Sequence, residues 1–223
     1  MLESDQLLTA LRFGDSAFPS GGFAFSFGLE GSHRDGLVRD EADVQAFAAE
    51  QLDGRWHPCD RVLLRRAWAA ADPAEVDDLA EATSTMSVLR EASRRAGAAT
   101  LATFAALLGA EAAPAVDEYR RRVLQQGAPG HLPIAQALCL RAAGLTLETA
   151  ETVTAWQLIA GISSAAVRLG ICGHLGAQRT IASLTPVVLE VLQREPAPGP
   201  AVFTVYADVA AQRRGDGVRL FAS

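Results

Sequence analysis

Four histidines and three cysteines are the residues of this chain best suited to chemistry, and their spacing argues against a centre built from them. His33, His57, His131 and His174 are scattered, as are Cys59, Cys139 and Cys172. Cys172-Gly173-His174 brings two possible ligands close together. A structural zinc site needs paired ligands at both ends, so Cys172 and His174 are weak metal candidates, and no bound metal or other cofactor is expected. Three separated thiols are also too few for a disulfide framework and read as reduced.

Other catalytic groups are equally hard to assemble. Glu30, Asp40, Glu41, Asp77 and Asp78 are accounted for by helix capping and solvated helix faces. No Gly-x-Ser-x-Gly elbow is present, and no cysteine lies in a recognisable nucleophile motif. All 20 basic residues are arginine. Without lysine there is no ordinary P-loop and no lysine Schiff base. Pro19-Ser20-Gly21-Gly22 has the glycines of an anion-binding nest, but with neither a lysine nor a following strand it reads as a tight turn. One catalytic alternative stays open, an all-helical enzyme with a buried pocket that uses His131 and Glu91 as acid and base.

The elements that must position these residues are helical. Between breaks, nearly every segment repeats its apolar residues at helical spacing, and alternating β-branched runs are absent until the last twenty or so residues. Asp40 reads as the N-cap of a helix lined by Val44, Phe47, Ala48 and Leu52 and ended by Gly54, with Pro58 starting the next. Asp72-Pro73 caps a helix to about Thr83, and an alanine-rich helix spans about Ser87 to Leu108. Further helices are expected from Pro114, from His131 to Ala143, from Thr146 to about Leu169, and from Cys172 to Arg194 with Ile181, Leu184, Val188 and Leu192 as its buried stripe. The expected fold is all-α: a single-domain bundle of about ten helices over residues 1–195, followed by a flexible C-terminal tail over 196–223.

The 49% hydrophobic content suffices for a large core. A net charge of −6 disfavours nucleic acid and anionic membrane surfaces as partners. The acidic start has no secretory pattern, and the apolar window Val153 to Leu175 is interrupted by Gln157, Arg168 and His174, so a cytoplasmic protein without a membrane span is expected. Two segments do not fit a simple bundle. Gly14 to Gly31 interleaves glycines with Phe18, Phe23, Phe25 and Phe27, and the tail carries Val202, Phe203, Val205, Tyr206, Leu220 and Phe221. Both read as surfaces that order against a partner. Arg168 stands among Ala165, Ala166, Val167 and Leu169, so its guanidinium is either paired inside or presented from an apolar surface.

The run Asp15-Ser16-Ala17-Phe18-Pro19-Ser20-Gly21-Gly22-Phe23-Ala24-Phe25-Ser26-Phe27-Gly28-Leu29-Glu30 resembles the opening signature of the urease accessory protein F family. Leu89-Arg90-Glu91-Ala92-Ser93, Gly130-His131-Leu132-Pro133-Ile134-Ala135, Ala165-Ala166-Val167-Arg168-Leu169 with Gln178, and Arg219-Leu220-Phe221-Ala222-Ser223 resemble its later blocks in order. The resemblance implies a non-enzymatic, homodimeric adaptor that binds a urease scaffold accessory protein and recruits the GTPase that carries nickel to apo-urease. On this resemblance, Asp15, Ser16, Pro19, Gly21, Phe23, Phe25, Ser26, Gly28, Leu29, Glu30, Arg219, Leu220 and Phe221 would meet the scaffold. Arg168 and Gln178 would meet the GTPase, and Glu91, Ser93, Gly130, His131 and Pro133 would serve structure or the dimer. The chain departs from the family's usual residues at Gly22, Phe27, His174 and Arg213-Arg214.

Overall fold

In the computed structural model, which describes residues 4–19 and 26–212, every regular element is helical. Helix α1 spans Ser4–Gly14, α2 Leu29–Arg34 and α3 Glu41–Gln51. A π-helical stretch, Leu52–Asp60, leads directly into α4, Arg61–Ala69. Then come α5 (Pro73–Thr83), α6 (Ser87–Leu108), α7 (Pro114–Leu124), α8 (Leu132–Ala142), α9 (Leu147–Arg168), α10 (His174–Gln193) and α11 (Val205–Gln212). No helix among the described residues is long and apolar enough to cross a membrane.

Local chemistry sets most of these limits. Asp40 accepts from the Asp43 N–H at 3.0 Å, Asp72 from that of Ala74 at 3.0 Å and Thr146 from that of Thr149 at 3.3 Å, each satisfying an amide that the first turn leaves open. Gly109 ends α6 at φ 78°, a backbone conformation open to glycine at little cost. One expected break is absent, because Gly54 does not end a helix and the chain stays helical from Glu41 to Ala69. Pro58, expected to start a helix, sits inside the π-helical stretch. Its ring crowds the carbonyl four residues back, and that carbonyl, of Gly54, accepts the Phe203 N–H at 2.8 Å. The α10 stripe is also displaced from expectation. Ala177, Thr180, Leu184, Val188 and Val191 are buried, while Ile181 and Leu192 lie at its edge.

Two apolar cores share α9. The first gathers Phe13, Leu63, Leu64, Phe104, Ile134 and Leu138 around Ala150 and Val153. The second gathers Leu29, Val44, Leu52, Trp56 and Leu184 around Leu158, Ile159 and Ile162. A charged joint ties them. Arg61, 2% exposed, donates to the carbonyls of Val191 and Arg194 at 2.9 Å and of Leu192 at 3.0 Å, all at the C-terminal end of α10. It also meets the Glu151 carboxylate at 3.1 Å, which Arg65 meets from its other oxygen at 3.0 Å. A cation there satisfies carbonyls left open by the last turn and lies at the negative end of the helix dipole.

Part of the segment assigned to the tail, 201–212, is laid on the bundle. The N–H of Ala201 donates to Pro58 O at 2.9 Å, Arg55 pairs with Asp208 at 2.9 Å, and the Tyr206 hydroxyl meets Asp35 at 3.1 Å. Helix α11 crosses α2 at glycines. A Cβ on Gly28 would stand 2.4 Å from the Ala207 carbonyl oxygen, and one on Gly31 would stand 2.1 Å from that of Ala210. Small residues on both helices let the backbones approach this closely.

Two outcomes follow for stability. Glu151→Ala should cost about 3–5 kcal/mol in urea unfolding, because it strands the buried Arg61 charge, and a loss under about 1 kcal/mol would contradict the joint. Gly31→Ala should raise the rate of chymotryptic cleavage at Tyr206 several-fold while the urea midpoint of the bundle holds. An unchanged cleavage rate would show that α11 is not seated on α2.

Candidate functional site

The block Gly130-His131-Leu132-Pro133 enters α8 and is pinned by side chains from α5 and α6. The Asp77 carboxylate, fully buried, accepts from the amides of Gly130 at 2.5 Å and His131 at 3.0 Å and from the Tyr119 hydroxyl at 2.5 Å. Burial, then the Asp77 charge and hydrogen bond, push the Tyr119 pKa upward. The Ser93 hydroxyl accepts from the Leu132 N–H at 3.1 Å. Gly97 lies so close beneath that a Cβ would stand 2.0 Å from the Gly130 oxygen. Four of the five structural candidates, Ser93, Gly130, His131 and Pro133, are therefore brought together. Glu91 is not, since its side chain is 59% exposed and pairs with Arg95.

This geometry corrects the acid/base pairing of His131 with Glu91. The histidine is buried, and the carboxylate it meets is Glu81, with His131 Nε2 and Glu81 Oε2 2.8 Å apart. Glu81 is also held by Arg94 at 2.7 Å and Arg90 at 3.4 Å. Burial acts to raise its pKa, but the His131 hydrogen bond and the Arg94 charge outweigh that and lower it. A carboxylate held by three cationic or donor groups is a fastening for the α5–α6–α8 corner. The pairing with Glu91 fails because that residue, ten positions further on, lies on the outer face of α6.

The N-terminal signature splits into two parts. Asp15 and Ser16 are exposed in the loop after α1, where Asp15 accepts from the Ala17 N–H at 2.8 Å, and the Pro19 carbonyl accepts from the Thr103 hydroxyl at 2.8 Å. Phe18 packs edge-on against Phe13 and Phe104, which stack at 4.5 Å. Beyond the gap, Ser26 is buried, Phe27 turns at φ 52°, and Gly28, at φ 88°, caps α2. Leu29 is fully buried in the second core, and Glu30 pairs with Arg34 at 3.5 Å. Gly28 and Leu29 thus form the seat of α11. Gly21, Phe23, Phe25, Arg219, Leu220 and Phe221 lie outside the described residues, as do Gly22 and Arg213-Arg214.

A third region collects the remaining candidates in one groove between α1, α9 and α10. Arg168, at the end of α9, and Gln178 and His174, on the first turns of α10, line it together with Asp15 and Ser16. Its wall is apolar and partly open to solvent, with Leu7, Leu11 and Trp156 all exposed. Helix α1 is fixed there by backbone acceptors: Trp156 Nε1 donates to Gly14 O at 3.1 Å and Gln157 to Phe13 O at 2.7 Å. Burial lowers the Arg168 pKa, though a guanidinium this basic keeps its charge. Cys172 sits beside Glu41 and Arg179, which pair with each other at 2.6 Å, and burial raises its thiol pKa. No group of three or more potential metal ligands is found among the described residues.

Sequence reasoning missed two things. The exposed leucines of α1 were not read as a groove wall. Nor was the seating of α11, although the Gly28-x-x-Gly31 and Ala207-x-x-Ala210 spacings were there to be matched as two small-residue helix faces.

Comparison with known proteins gives these surfaces a context. A family model described as UreF matches residues 38–185. The chain is 32% identical to the urease accessory protein UreF of one Cereibacter sphaeroides strain over 188 residues, covering 84% of this chain and 82% of that one. A second strain's UreF matches at 32% over 223 residues, covering 98% and 99%. The UreF of Paenarthrobacter aurescens matches at 32% over 173 residues, covering 75% and 74%. A model spanning the central bundle and relatives aligned over about three quarters or more of their length lead to one conclusion: this chain belongs to the UreF family of urease accessory proteins.

Proposed function

We propose that the chain is an adaptor in nickel delivery to apo-urease, joining a scaffold accessory protein to the nickel-carrying GTPase without chemistry of its own. The observation that carries this reading is the groove between α1, α9 and α10. Arg168 and Gln178, ten residues apart across the α9–α10 turn, share it with an apolar wall, and a guanidinium in a groove lined by exposed leucines and an indole is the composition of a protein-binding hot spot. The GTPase docks there, and GTP is held by that partner, since this chain has no lysine with which to build a P-loop.

The scaffold protein reads a second surface, where residues 26–30 of the N-terminal signature meet the C-terminal segment, and Asp15 and Ser16 of the same signature reach the rim of the groove. Phe203, just before α11, and Val205 and Tyr206, in its first turn, are exposed, and the remaining candidates, Gly21, Phe23, Phe25 and the terminal Arg219-Leu220-Phe221, flank this surface in sequence. The adaptor works in the cytoplasm as a homodimer, with Glu91 on the outer face of α6 as a contact candidate. Ser93, Gly130, His131 and Pro133 keep the bundle in shape.

Nickel activation of urease, measured with and without this chain, tests the proposal as a whole, and full activation in its absence would refute it. The groove has its own test. Arg168→Ala should weaken co-purification with the GTPase about tenfold or more, equivalent to roughly 1.4 kcal/mol or above, while leaving the urea midpoint and scaffold binding in place. Unfolding of the variant, or undiminished recruitment, would remove Arg168 from the contact.

A further inference from the structure

Beneath α11, three charged groups come together with one negative charge in excess. Arg55 and Asp60 belong to the π-helical stretch, and Asp208 reaches in from α11 to pair with Arg55 at 2.9 Å. The Thr204 hydroxyl meets the same Asp208 oxygen at 3.3 Å, so that carboxylate is tied. Asp60 is not. Its neighbours among the described residues act on it through charge, Arg55 favouring the ionised carboxylate and Asp208 opposing it. It lines two adjoining cavities, one reaching α11 and the other reaching the loop after α1. Two carboxylates and one guanidinium leave this partly buried site with one negative charge over, and a proton on Asp60 would restore neutrality.

We propose that Asp60 is a proton-binding site that latches α11 to the bundle, gripping it when protonated and loosening it when ionised. The surroundings leave Asp60 as the group that responds. On its own element it faces Arg55, which stays a cation, and Cys59, whose thiol burial pushes up to about 12. From α11 it faces Asp208, already paired. Across the cavity that reaches α11 stands His131, committed to Glu81, and across the one that reaches the loop after α1 stands Asp15, exposed on that loop. Helix α9 offers the cavity neutral polar groups, Thr154, Gln157 and Ser164.

The direction of the effect follows from the shift. Burial raises the Asp60 carboxyl from its ordinary 3.8 to about 6, with Arg55 opposing and Asp208 adding to the rise. When α11 lifts, water enters beside Asp60, the Asp208 charge leaves, and the carboxyl returns toward its ordinary value. A group whose pKa is raised in the closed form stabilises that form fully below the ordinary value, and the contribution is lost as pH rises through about 6. Closure of α11 is therefore favoured in mild acid and relaxed at neutral pH. This device is independent of the adaptor reading and would hold for the isolated chain.

Amide hydrogen exchange on the full chain, corrected for the pH dependence of intrinsic exchange, tests it. Protection of the Ala207 to Ala211 amides should fall about tenfold between about pH 5 and about pH 7, while α9 amides hold. Asp60→Asn should abolish this dependence and keep α11 at its acid-side protection. Wild-type protection that does not change with pH would overturn the proposal, as would a dependence that survives in Asp60→Asn. If that variant does not fold, a carbon-13 titration of the wild-type Asp60 carboxyl decides, and a midpoint near 4 overturns the latch.

Discussion

The Arg61 guanidinium is the joint on which the arrangement turns. It is buried where α4, α9 and α10 meet, with its donors spread over the last carbonyls of α10 and over Glu151. Burying a charge is unfavourable unless it is paired and hydrogen-bonded, and here both conditions are met by groups from helices far apart in sequence. This fixes where α10 ends relative to α9. The start of α10, twenty residues earlier, is fixed with it, and the groove holding Arg168 and Gln178 lies at that start. The position of the candidate contact surface is thus set by a network at the opposite end of the same two helices.

A second constraint joins the two ends of the chain. The π-helical stretch around Pro58 offers carbonyls at Gly54 and Pro58 to the amides of Phe203 and Ala201, and the glycines of α2 offer α11 a bare backbone to lie against. Neither feature makes sense locally, since a proline and a glycine within one helix both weaken it. Together they form the edge and the floor of a seat. Gly28, within the N-terminal signature, and the neighbouring Gly31 of α2 share this contact with α11.

Much of the fold could be read in the sequence because local signals suffice for it. Asp40, Asp72-Pro73, Thr146 and Gly109 mark helix limits by capping chemistry that acts within a few residues. What could not be read depends on distant partners. Gly54 looks like a helix stop until Phe203 is seen to use its carbonyl. His131 reads as a partner of Glu91 until Glu81 is found at its ring and Asp77 at its backbone amide. For the candidate site, the apolar setting of Arg168 was legible from its neighbours, but its meeting with Gln178, Leu7, Leu11 and Trp156 was not, because α1 reaches the groove only by docking on the aromatic cluster of Phe13, Phe18 and Phe104.

GTPase recognition is the role proposed for the groove between α1, α9 and α10. The most direct measurement is a hydrogen-exchange footprint of the chain bound to its scaffold protein, taken with and without the nickel-carrying GTPase. The account predicts new protection at the end of α9, the first turns of α10 and the exposed face of α1. Protection confined to the arginine-rich face of α7, around Arg120 to Arg122, with the groove unchanged, would contradict it.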